Sequence, residues 1–283
     1  MKLFFITLSL ILSSLFASAA EIVVLVPGFF NSLNPEYFSQ DIVNSFKNKG
    51  FKVYVVNNFN PIGTIEDNGT RLEAFLKAVE LNEKHAVDFN LVAHSAGGFY
   101  SMWVANRQHF SIKNIYTVST PYLGVEFIET WLADCTLFRA ITDLAHLESL
   151  KELTPEGAKN FLATIRVSPN TKITAFGGYQ SESIDITNAR NLSAPLLVTS
   201  HFITKDSDGI VAFSSAIGLG NIKTTEEKTA SQFLAKKYFI ALEHWEQILD
   251  SSSFILLGIR NTGYIRNEQI RFYSGLADLL AKP

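Results

Sequence analysis

Residues 90–103 read NLVAHSAGGFYSMW: an apolar run, a histidine and a serine, then a glycine pair opening a helical stretch. The run at 87–93 is short and apolar, as a strand inside a sheet is, and the segment after Gly97 reads as a helix to about Arg107. A serine at so abrupt a strand-to-helix turn needs small neighbours, because bulky side chains would strike the adjacent strand and helix. Ala93, Ala96 and Gly97 meet that need.

The same unit repeats on both sides of this turn. EIVVLVPGFF (21–30) begins as a β-branched and aliphatic run, the pattern of a strand covered on both faces, and Pro27 and Gly28 stop it. Phe38, Ile42, Val43 and Phe46 recur at helical spacing through 37–49, with Gly50 as a stop, and FKVYVVNNF (51–59) is a second strand. A helix over 66–84 carries Leu72, Phe75, Leu76 and Val79 on its inner stripe, and IKNIYTVS (112–119) is a further strand. This alternation predicts an α/β fold, with a mostly parallel central sheet flanked by helices in a single domain over 20–283.

Between Pro121 and about Asn170 the alternation stops. Apolar residues at Ile128, Trp131, Leu132, Cys135 and Phe138, then Ile141, Leu144 and Leu147, predict a helical lid or cap inserted at about 122–170. TKITAFGG (171–178) and LLVTSHFIT (196–204) resume the sheet pattern, and helices are expected around 233–241 or 245–258 and near 268–281.

Composition narrows the partners. The 283 residues are 47% hydrophobic and 18% charged, with a formal net charge of −3, and no run of five like charges makes a basic arm. Nucleic acid is therefore not an expected partner. Residues 1–19 carry Lys2, an apolar block from Leu3 and small residues at Ala17 and Ala19, the pattern of a signal peptide and hence of a secreted or periplasmic protein. An uncleaved anchor is the alternative; cleavage after Ala19 removes one lysine and no acid, taking the charge from −3 to −4. Cys135 is the single cysteine, so no disulfide forms within the chain.

The chemistry rests on order along the chain. A serine between a strand and a helix is often just an N-cap. It becomes a nucleophile when an imidazole accepts its proton, a carboxylate holds that imidazole, and backbone donors face the developing oxyanion. The turn AHSAG (93–97) differs from the G-x-S-x-G elbow by the one methyl group of Ala93. Downstream, TKDSDGIVAFSSA (204–216) offers Asp208 before Gly209 at the end of an apolar strand, with Asp206 two residues away as a substitute or a surface turn residue. Of six histidines, His201 and His244 follow the inserted segment; His201 lies in an apolar run, whereas His244, in ALEHWEQI (241–248), follows both aspartates and is the preferred base. His94 adjoins the serine but is expected to point elsewhere, and His85, His109 and His146 read as surface or lid residues. Oxyanion donors are expected at the N–H groups of Ala96 and of Phe29, with Gly28 letting the loop approach closely.

Taken in order, these segments resemble the secreted bacterial triacylglycerol lipases of the Pseudomonas and Burkholderia type, within the α/β-hydrolase superfamily. LVPGFF (25–30) looks like the family's oxyanion loop with Pro27 in place of histidine, and VAHSAGG (92–98) like its elbow. VSTPYLG (118–124), SLKELTPEGAKNF (149–161), SDGIVAFSSAIGLG (207–220) and EHWEQI (243–248) resemble the segments after the next strand, after the lid, at the acid and at the base. The resemblance implies Ser95 as nucleophile, Asp208 as orienting acid, His244 as base, and Phe29 and Ala96 as oxyanion donors. It also implies a structural calcium held by two carboxylates; here the matching places carry Glu246 and, loosely, Asp185, an altered ligand set to which we assign no metal.

The expected chemistry is hydrolysis of an acyl ester or lipid through an acyl-enzyme, requiring no cofactor. An acyltransferase on the same residues, or a secreted binding protein that has lost catalysis, are the alternatives. The insertion is either a mobile lid that contacts a lipid interface through Ile128, Trp131, Leu132, Phe138 and Ile141, or a fixed cap with those residues as core.

Overall fold

The computed structural model describes residues 21–29, 37–85, 87–128, 144–179, 206–219, 222–226, 231–233, 239–250 and 262–282, with 144–147 and 231–233 described by backbone alone. In chain order the elements are β1 (Ile22–Val26), α1 (Gln40–Lys47), β2 (Lys52–Val55), α2 (Ile65–Glu83), β3 (Asp88–His94), α3 (Gly97–Arg107) and β4 (Ser111–Val118). There follow α4 (Leu144–Lys151), α5 (Pro155–Thr164), β5 (Arg166–Val167), β6 (Lys172–Phe176), α6 (Phe213–Ala216), β7 (Lys223–Thr224), β8 (Ser231–Phe233) and α7 (Thr262–Leu280). Six strands form one sheet in the order β2-β1-β3-β4-β6-β8, and every pair in it is parallel. The predicted α/β architecture is the observed one.

Both faces of the sheet are covered, which explains why β1 is apolar at every position. Ile22, Val24 and Val26 point into one core with Leu72, Leu76, Phe99 and Met102 of α2 and α3. Val23 and Leu25 point into the other, with Ile42 and Phe46 of α1 and Phe272, Tyr273 and Leu276 of α7. The side-chain period of two thus divides one strand between two helical layers. α2 is capped by Thr64, whose side chain accepts from Asp67 N–H, and α5 by Thr154, which accepts from Gly157 N–H.

Parallel pairing gathers the carboxyl ends of the strands at one rim. Val26 pairs with Ala93, His94 with Val118, and Val118 with Phe176, so the turns after β1, β3, β4 and β6 adjoin one another. Ile240 bridges to Gly178 just beyond β6, bringing the 239–250 segment to the same rim. Among the described residues 244–248 is a run of turns and 231–233 is the edge strand β8; the rest of the expected helices at 233–241 or 245–258 lies largely outside the described residues. The turns are held from outside. Gln269 of α7 donates to Glu246 O and Leu249 O, both at 2.7 Å, and its Oε1 accepts from Ser39 Oγ at 3.0 Å. The last helix begins at Thr262, six residues earlier than its sequence pattern suggested.

The insertion contains α4 and α5, while its apolar residues at 131, 132, 135, 138 and 141 lie outside the described residues, as do LLVTSHFIT and the first twenty residues. Among the described residues no helix is long and apolar enough to cross a membrane.

Gly97 packs tightly against the end of β1: a Cβ there would sit 2.5 Å from Val26 O and 2.6 Å from Pro27 O. Gly97→Ala is expected to cost on the order of 1–3 kcal/mol, read as a lowered urea midpoint with an unchanged slope.

Candidate active site

Ser95 ends β3 in the left-handed region, at φ 54°, a conformation that L residues other than glycine adopt at a cost. The surroundings hold it there. Ser95 N–H donates to Val118 O at 2.9 Å, and its carbonyl accepts from Gly98 N–H at 3.1 Å and from the Thr120 hydroxyl at 2.7 Å. The oxyanion-loop candidate presses against this turn: a Cβ on Gly28 would come within 2.7 Å of Ser95 Cβ and 2.8 Å of His94 O. Ser95 is half-buried, and its hydroxyl makes no hydrogen bond among the described residues. Ala96 and Phe29 lie on either side of the contact, both buried. The small-residue requirement read from the sequence therefore has a steric origin here.

Asp208 and His244, 36 residues apart, meet. His244 Nδ1 lies 2.8 Å from Asp208 Oδ2, and His244 N–H donates to Asp208 O at 2.9 Å, so side chain and backbone are both in register. The pair is buried, with side-chain exposures of 2% and 0%. Asp208 Oδ1 accepts from the N–H groups of Ile210 at 3.0 Å and Val211 at 2.8 Å, and Gln247 Nε2 donates to Oδ2 at 2.9 Å. Burial by itself pushes the Asp208 carboxyl up; the charge and hydrogen bond of His244, the Val211 N–H and the Ser119 hydroxyl outweigh it, and the group sits below its ordinary value. Asp208 is a carboxylate. Asp206 is exposed and contributes only its carbonyl, which accepts from Phe213 N–H.

His94 brings the two halves together. Its ring is fully buried, with its centroid 4.5 Å from that of His244, so His244 lies beside the residue preceding Ser95. The sequence reading that His94 points away from the serine is compatible with this, but it missed what His94 touches. Burial, then repulsion from His244, holds the His94 imidazole well below its ordinary range.

Three further residues were missed. Ser119, itself at φ 52°, turns its hydroxyl to accept from Gly178 N–H at 3.0 Å beside Asp208. Gln247 reaches Asp208 from one turn after His244, and Tyr37 reaches Gly28 and His94 from the start of α1. Only Gln247 carried a usable signal, the three-residue offset that returns a side chain to the same side of a turn. His201 and Asp185 lie outside the described residues, while His85 and His109 are exposed.

The described residues do not assemble a cation site. Glu246 is buried and its Oε2 accepts from Glu243 N–H at 3.2 Å, but no group of three or more His, Cys, Asp or Glu among the described residues could hold a metal ion. No step below is routed through a metal.

Both buried groups make the fold acid-sensitive. His94 stays neutral in the folded chain to well below 6.5, whereas the unfolded chain takes up a proton there, so stability falls as pH drops from about 6.5. The stabilisation from Asp208 is present above its unfolded value of 3.8 and is lost as pH falls through its lower folded value. Denaturant midpoints should therefore fall between pH 7 and pH 5. His94→Gln should flatten that slope, by up to about 1.4 kcal/mol per pH unit.

No family model and no curated protein matches the chain. Solved structures similar to it include Staphylococcus hyicus lipase, with a TM-score of 0.66 at 13% identity over 93% of this chain and 96% of that one. The metagenomic carboxyl esterase MGS0156 scores 0.64 at 16% identity over 94% and 75%. Mature Bacillus licheniformis lipase BlEst2 scores 0.57 at 18% identity over 86% and 94%. These likenesses establish an α/β-hydrolase fold, shared with bacterial lipases and esterases, and do not single out the Pseudomonas and Burkholderia type.

Proposed function

We propose that this protein is a serine carboxylester hydrolase of the lipase or esterase kind, acting on acyl esters outside the cytoplasm. The observation that carries the proposal is the 2.8 Å contact of His244 Nδ1 with a buried, ionised Asp208, with the imidazole lying beside a left-handed serine turn. Export rests on the character of residues 1–19.

In this reading Asp208 accepts a hydrogen bond from His244 Nδ1–H and so fixes the tautomer, leaving Nε2 as the base. Nε2 removes the Ser95 hydroxyl proton as the oxygen attacks the ester carbonyl. The resulting imidazolium is stabilised by the Asp208 carboxylate, and the N–H groups of Phe29 and Ala96 receive the oxyanion. Collapse transfers the proton to the departing alcohol and leaves an acyl group on Ser95. Water, deprotonated by the same nitrogen, then releases the carboxylic acid and restores the serine. The acyl part resembles the triacylglycerol-type substrates of the family whose motifs the sequence carries.

Ser95→Ala should abolish turnover of a p-nitrophenyl ester and labelling by a fluorophosphonate probe, with the melting temperature retained. Asp208→Asn should lower kcat by about 10⁴-fold. Wild-type rates in either variant would reject the assignment.

A further inference from the structure

Three buried polar side chains beside His244 have no part in the proton transfers above. Gly28 N–H donates to the Tyr37 hydroxyl at 3.0 Å, and that hydroxyl lies 3.0 Å from His94 Nδ1. Burial drives the Tyr37 phenol far above its usual range, so it keeps its proton. Among the described residues Nδ1 is the one acceptor within reach of the phenol hydrogen, so that hydrogen is donated to Nδ1. A neutral imidazole that accepts at Nδ1 carries its own hydrogen on Nε2.

That Nε2–H is a buried donor without a hydrogen bond among the described residues, and Gln247 Oε1 is a buried acceptor in the same condition. The donor belongs to the ring whose centroid lies 4.5 Å from that of His244, and the acceptor to the residue three places after His244. At its other end the same amide donates to Asp208 Oδ2, the oxygen that His244 Nδ1 shares. Tyr37 and His94 are 57 residues apart and Gln247 lies 39 residues from Asp208, so three separate segments converge on this one arrangement.

We infer that His94 Nε2–H pairs with Gln247 Oε1, which makes Tyr37, His94 and Gln247 positioning residues in one circuit that runs from the Gly28 N–H past His244 to the carboxylate of Asp208. The inference rests on the ester-hydrolase reading. Holding the Gly28 N–H restrains the loop from which the Phe29 N–H is offered, while the Gln247 amide sets the oxygen on which His244 turns. One network thereby holds the oxyanion donor and the base in a common frame. Its members act through other groups and touch no substrate.

The test uses Tyr37→Phe, which keeps the ring and removes the hydroxyl, and Gln247→Met, which removes the other end. Active sites are counted by fluorophosphonate labelling, and kcat is expressed per labelled site, so misfolded protein drops out. Each variant should lose kcat on the order of 10–100-fold with KM changed less than twofold. The inhibition constant of a trifluoromethyl ketone that occupies the oxyanion site should rise by the same factor as kcat/KM falls. The double variant should lose less than the product of the single losses, because either cut opens the same circuit.

Unchanged kcat per labelled site, or a double variant that shows the full product, overturns the inference and leaves the hydrolase reading standing. Should one variant fail to fold, the other is judged by the same kcat and KM criterion. Wild-type protein that takes no label overturns both.

Discussion

A serine with positive φ at the end of a fully buried strand is the constraint on which this structure depends. It places the hydroxyl above the rim of the sheet, and it leaves no room for a side chain on the neighbouring backbones. Gly28 and Gly97 each stand where a Cβ would enter the elbow or the turn after β1. The parallel register that brings Val26, Ala93, His94 and Val118 level makes this crowding unavoidable. The glycines are there because the strands are neighbours, and the turn is tight because the sheet is covered on both faces.

A second demand comes from burying a charge. Taking a carboxylate out of water costs several kcal/mol unless its oxygens are well supplied. Asp208 is supplied by two backbone N–H groups of its own turn, an amide, an imidazole and a nearby serine hydroxyl, drawn from the turn after β4, the 206–211 turn and the 239–250 segment. The site thus depends on the topology, because only the strand order brings those segments to one rim.

What could be read from the chain follows from how far each signal reaches. The double coverage of β1, the helix and strand alternation and the turn at Ser95 are local patterns, and each was legible. Asp208 and His244 were chosen by order along the chain, and the structure brings their side chains together. Tyr37 and His94 were opaque because a phenol and an imidazole 57 positions apart reveal their hydrogen bond only once the chain between them has folded. The helix expected around 233–241 or 245–258 lies only in part within the described residues, and there Glu246 O and Leu249 O are taken up by Gln269, a partner that no local periodicity registers.

That dependence on Gln269 bears on the order in which the chain becomes competent. A ribosome delivers the elbow, the acid and the imidazole before it delivers residues 262–280, so the loop carrying His244 exists for a time without the amide that grips its carbonyls. The segment that carries His244 is thus fastened by a helix downstream of every residue of the candidate triad.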